Sequence, residues 1–152
     1  MIKMKVTTKL DTSGLKKLRR QLKQQSVNVG YINSKDHWMN DGVPVAQIAS
    51  HLHYWSPWKG QFMLSENNKQ QVTDIIRSEL SFLSVDNVVF FSNKVGAKAA
   101  KQIEKNIINV EVPPNSKEWA DIKGFNDPLR FGSRIGESPN LISELTFKVG
   151  NI

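Results

Sequence analysis

Residues 94–108, KVGAKAAKQIEKNII, place Val95, Ala99, Ile103 and Ile107 at successive four-residue steps, with Ala100 and Ile108 widening the stripe. Apolar side chains recurring at that interval share one side of a 3.6-residue helix, so the stretch predicts a helix that buries one face. Ala97, Ala99 and Ala100 keep the stripe shallow and predict close contact with another helix. The preceding run, SVDNVVFF at 84–91, reads either as a strand or as an extended lead into this helix.

Upstream, Val72, Ile75, Ile76, Leu80 and Leu83 form the buried stripe of a second long helix, with Ser65 as its cap. Val45, Ile48, Ala49 and Leu52 predict a short helix with Pro44 in its first turn, where proline is tolerated. Asn40-Asp41-Gly42 has turn chemistry and predicts a loop or hairpin tip carrying Trp38. Val27, Val29 and Tyr31 alternate as a strand, and so do Ile2, Met4 and Val6. Between those strands, Leu15, Leu18 and Leu22 predict a helix of about three turns behind the capping oxygens of Asp11, Thr12 and Ser13.

Downstream the character changes. Residues 110–140 carry Pro113, Pro114, Gly124, Pro128, Gly132, Gly136 and Pro139 with little periodicity, which predicts a long irregular arm or loop. Leu141, Ile142, Leu145, Phe147 and Val149 then predict a final strand. The expected fold is one α+β domain over residues 1–152, a small mixed or antiparallel sheet packed with three to four helices.

Composition limits the chemistry. With no cysteine in 152 residues, disulfide scaffolds, thiolate zinc sites, iron–sulfur clusters and cysteine nucleophiles are excluded. The amino-terminal MIKMKVTTKL lacks the apolar block of a secretory signal, and no apolar run reaches membrane-spanning length, which predicts a soluble, unsecreted domain. Glycine-rich phosphate loops and G-x-S-x-G nucleophile motifs are missing, GSRIG at 132–136 having the wrong spacing. His37, His51 and His53 with Asp36 or Asp41 are the residues a metal would use. His51 and His53, two apart, diverge on a helix, so packed or exposed histidines fit better. The expectation is a protein without catalysis, cofactor or metal.

The net charge of +7 is localised. Residues 1–25 hold eight basic side chains against Asp11 alone, and the rest of the chain holds 13 of each sign. Lys16, Lys17, Arg19, Arg20 and Lys23 form the polar side of the first predicted helix. That side is either a solvated face or a contact for nearby DNA or an acidic partner. The second concentration is aromatic: Tyr54, Trp55, Trp58 and Phe62 lie within nine residues, interrupted by Pro57 and Gly60. Any one of them fits a core position. All four cannot point inward from one short irregular segment, which makes them candidate anchors between subunits.

In order along the chain these pieces resemble the tail-completion and head–tail joining (neck) proteins of tailed bacteriophages, of the virion-morphogenesis type. A Leu- and Lys-rich helix is followed by a V-x-V-G strand at Val27, Val29 and Gly30. An Asp-Gly then leads into a V-A-x-I-A helix at Asp41, Gly42, Val45, Ala46, Ile48 and Ala49. Pro57, Lys59, Phe62 and Met63 match a proline–basic–Phe–Met turn. Pro113-Pro114-Asn115-Ser116, Lys123-Gly124 and Asp127-Pro128-Leu129 match later motifs. The chain departs from the pattern at His51–Trp55, where the family carries N-E-F-G, and at Arg130-Phe131-Gly132, where it carries d-T-G.

The resemblance implies a non-catalytic virion protein, made in the host cytoplasm and placed in the neck or tail. It would form a homo-oligomeric ring of about six or twelve copies with heterologous interfaces. Other neck, connector and tail proteins would be its partners, with DNA in the lumen and no membrane. The segment around Tyr54, Trp55, Trp58 and Phe62 would supply one subunit contact. An arm carrying Pro113, Pro114, Trp119, Phe125, Leu129 and Phe131 would supply another. Three other readings remain open: a nucleic-acid-contacting accessory protein using the basic face, another tail or baseplate subunit, and a metal-dependent enzyme using the histidines.

Overall fold

The computed structural model describes residues 12–37, 40–65, 68–110, 114, 116–123 and 139–151. Along the chain run α1 (Ser13–Lys23), β1 (Gln25–Gly30), β2 (Asp36–His37), β3 (Asn40–Pro44), α2 (Val45–Trp55), α3 (Lys69–Glu79), a 3-10 turn (Leu80–Phe82), α4 (Val88–Ile108), α5 (Lys117–Lys123) and β4 (Thr146–Asn151). β1 pairs antiparallel with β4, and β2 pairs antiparallel with β3. The fold is α+β, two small antiparallel sheets with five α-helices among the described residues. No described helix is long and apolar enough to cross a membrane.

α4 organises the packing. Its Ala99, Ile103 and Ile107 are buried as the four-residue period predicts. With Val45, Ala49 and Leu52 of α2, Ile103 and Ile107 enclose Phe62, Val110 and Leu141 in the core. The helix also reaches back through Val88–Phe91, so the strand reading of SVDNVVFF fails. Val88 and Phe91 are three residues apart and both buried, and that burial outweighs the strand preference of a β-branched and aromatic run. Close approach occurs at Gly96, where a Cβ would lie within 2.9 Å of Cγ of Phe147. Gly96 thus lets α4 approach strand β4 closely, while α3 packs along the same helix.

Four other boundaries differ from expectation. His37 pairs with Asn40, and Asn40-Asp41-Gly42 lie in β3 instead of at a hairpin tip; Trp38, expected at that tip, lies outside the described residues. The register jumps between Asp36 and His37; Gly42, at φ 78°, absorbs the irregularity and donates its N–H to Asp36 Oδ2 at 3.1 Å. Pro44 is extended and precedes α2 instead of opening its first turn. The free N–H of Ala46 is satisfied by Ser34 Oγ at 2.8 Å. Ser65 heads a turn, its carbonyl accepting from Asn68 N at 2.9 Å, and α3 starts only at Lys69. The terminal strand begins at Thr146, because Asn140 Oδ1 accepts from the N–H groups of Ile142 and Ser143 and holds residues 140–144 in a turn.

Polar ties lock these layers. Asn106 of α4 donates to Phe62 O at 3.0 Å and to Gln71 Oε1 of α3 at 2.9 Å. Tyr31 donates its phenol to Leu141 O at 2.9 Å, joining the end of β1 to the turn ahead of β4. Burial holds that phenol well above its ordinary pKa. Lys98 of α4 forms an ion pair with Glu79, a carboxylate buried at the end of α3. The strand expected at Ile2–Val6 lies outside the described residues, as does most of the 110–140 arm, although α5 forms within it.

Candidate functional site

The four clustered aromatics divide two and two. α2 runs through Tyr54 and Trp55 and stops where Ser56 turns extended ahead of Pro57. Ser56, buried, donates its hydroxyl to Leu52 O and accepts from Trp58 N at 3.1 Å. Gly60, with φ 71°, donates its N–H to His53 O at 3.0 Å. This tight reversal sends Phe62 into the core, fully buried, and lays Trp58 against it half-buried. Tyr54 and Trp55 are left on the outside, 64% and 80% exposed.

His53 stands between the two groups, edge-on to Tyr54 with ring centroids 4.8 Å apart and edge-on to Phe62 at 5.7 Å. Its Nδ1 is buried with no hydrogen-bond partner. Burial lowers the pKa of both His53 and His37 below the ordinary imidazole value of 6.5, so the neutral ring is favoured. His51 is exposed on α2, and among the described residues no group of three His, Asp or Glu side chains converges as a metal would need.

Of the predicted arm contacts, Pro114 is exposed and Trp119 falls within α5. Pro113, Phe125, Leu129 and Phe131 lie outside the described residues. Lys16, Lys17, Arg19, Arg20 and Lys23 all lie exposed on α1, which has no acidic residue. Among the described residues none of the five has an acidic partner.

Two apolar surfaces run against the expected burial of the α3 stripe, of which Ile75 is buried but Ile76 and Leu80 are exposed. The first joins the 3-10 turn to the start of α4: Leu80, Phe82, Val89 and Phe90 are all exposed. Lys94 Nζ sits 5.1 Å and 5.5 Å from the ring centres of Phe82 and Phe90, within cation–π reach. Reading 84–91 as a strand hid this patch, since only a helix places Phe90 one turn from Lys94. The second is a groove of about 790 Å³ between β1, α3 and α4. Val72, Ile76, Leu80, Leu83 and Val95, all assigned to buried stripes by their spacing, line it.

No protein-family model, no curated protein and no solved structure matches the chain.

Proposed function

We propose that the chain is a structural subunit of the tailed-phage neck, a tail-completion or head–tail joining protein that works by assembling into a ring. The ordered motif series supports this reading, running from the V-x-V-G of β1 through the Asp-Gly of β3 and the V-A-x-I-A of α2 to the Phe-Met turn. One observation carries it in physical terms. Tyr54 and Trp55 stand in solvent at the end of α2, while the next two aromatics of the segment pin the same stretch to the core. Large aromatics held rigidly outward cost little ordering entropy when a partner covers them, which is the usual composition of an interface anchor.

The basic surface of α1 and the balanced charge of the remaining chain fit a subunit with two unlike surfaces, as a closed heterologous ring requires. Native mass spectrometry and negative-stain imaging of the purified protein, alone and with portal and tail-tube partners, test the proposal. The expected result is a closed oligomer that W55A and Y54A dissociate without changing the monomer's circular dichroism. Loss of one central anchor typically costs about 2 kcal/mol or more per contact, roughly a 30-fold weakening. A strict monomer that never enters particles overturns the reading.

A further inference from the structure

α1 is the most sharply two-faced of the longer helices, yet none of its residues is buried. Leu15 is 64% exposed and Leu18 and Leu22 are only half-buried. Leu22, in its last turn, lines the 790 Å³ groove, whose walls include Val27, Val29, Ile76, Leu80 and Val95. Of the groove's polar side chains, Tyr31 donates to Leu141 O, Ser92 to Val88 O and Gln25 to Asn151 Oδ1, and Asn28 is exposed. No titratable group other than Tyr31 lines it. A small ligand would therefore find volume but little to orient it.

Electrostatics selects among larger occupants. The helix at the mouth carries five cationic side chains, no acidic one, and no ion pair among the described residues. A second copy docking by the same face would bring five charges against five. A bilayer could take the leucines of α1 but is too flat to fill a concave groove. Duplex DNA would answer the charge and leave the apolar walls wet. We propose that α1 and the adjoining groove together seat an acidic amphipathic segment of a partner protein, with apolar side chains in the groove and carboxylates facing Arg19 and Lys23, the cations that flank the leucine side of α1. Helix-in-groove recognition has this form, apolar anchors giving affinity and rim charges giving orientation and selectivity. The inference stands on the groove and on α1, and does not depend on the ring.

Two labelled peptides of about four helical turns test it, sharing leucine and phenylalanine anchors at i, i+3, i+4 and i+7 and differing only in Glu or Lys elsewhere. Fluorescence anisotropy with the full chain should show the Glu peptide binding at least about tenfold tighter than the Lys peptide, by a margin that shrinks as salt screens the rim. R19E/K23E should weaken the Glu peptide by about tenfold or more while retaining the native circular dichroism. Ile76 and Leu80 are already partly in solvent, so I76E and L80E provide two independent ways to charge the groove without unfolding the chain. Both should abolish binding, and I122E, on α5 and outside the groove, should not. Equal binding of the two peptides, or full binding by I76E and L80E, overturns the proposal. So does failure of the Glu peptide to bind while mixed-sequence duplex DNA or anionic vesicles bind through α1.

Discussion

α4 and α1 are both amphipathic helices with stripes plain in the sequence, and their fates are opposite. α4 buries Ala99, Ile103 and Ile107 to near-zero exposure and lays Gly96 against the Phe147 ring. α1 has the cleaner two-faced pattern and buries nothing. A periodic stripe specifies which side of a helix is apolar, but whether that side is covered depends on surfaces contributed from elsewhere. α4 is covered by β1, β4, α2 and α3, whereas α1 touches α4 and β1 only lightly. The contrast makes α4 the folding element and α1 the element available for contact.

The largest effect should come from emptying the centre of α4. I103A removes a 1%-exposed side chain from the cluster around Phe62 and should destabilise by about 3–4 kcal/mol, read as a lower urea midpoint at unchanged slope. A loss below about 1 kcal/mol would mean that the core is not where α4 places it. Next is the ion pair at the α3–α4 junction. K98M leaves the Glu79 carboxylate buried and unpaired and should cost about 2–3 kcal/mol, Lys98 itself being half-exposed. Adding E79Q should recover part of that loss, because a neutral amide is cheaper to bury than a lone charge. G96A follows, at about 1–3 kcal/mol, since the new methyl group must displace Phe147 or shift α4 off the sheet.

Much of the fold was legible because period and burial coincide. The stripes of α2 and α4, the Val27–Val29 strand and the return of Phe147 and Val149 beside it all appear as single-face patterns. The failures have local physical causes. Val88–Phe91 reads as a strand, and only long-range burial of Val88 and Phe91 makes it helical. Asn40-Asp41-Gly42 reads as a tip, but its positive φ serves an irregularity inside β3. At the site, sequence alone predicts that four aromatics cannot all be buried. It cannot say which two leave, because that depends on the Ser56 and Gly60 hydrogen bonds that turn the chain after α2. The groove was not legible, since an apolar stripe left open along a groove looks the same in sequence as one that is covered.

A smaller effect separates the two regions by pH. Burial lowers the pKa of His37 and His53 in the folded protein below 6.5, so the unfolded chain takes up protons first as pH falls. Stability should therefore be greatest above 6.5 and decline as pH drops through that value towards the lower folded-state pKa values. Thermal midpoints at about pH 5 and pH 7.5 measure this, and H37Q and H53Q should each flatten the profile. Both histidines belong to the packed body around β2 and α2, and α1 carries none. A profile left unchanged by either substitution would break that assignment.

The smallest expected effect is the most informative about α1. L15A removes a large side chain from the stripe of an amphipathic helix, a change that costs about 2–5 kcal/mol where such a stripe is buried. Leu15 is 64% exposed, and alanine is the better helix former, so the urea midpoint should move by less than about 0.5 kcal/mol. A loss of about 2 kcal/mol or more would mean that another part of the chain covers α1 in the free protein. The contrast with α4 would then disappear, and with it the availability of the leucine stripe to a partner. If instead stability holds while binding of the acidic peptide drops, the same leucine is inert in folding and engaged in recognition. That split between two measurements on one variant is what an uncovered stripe beside an open groove requires.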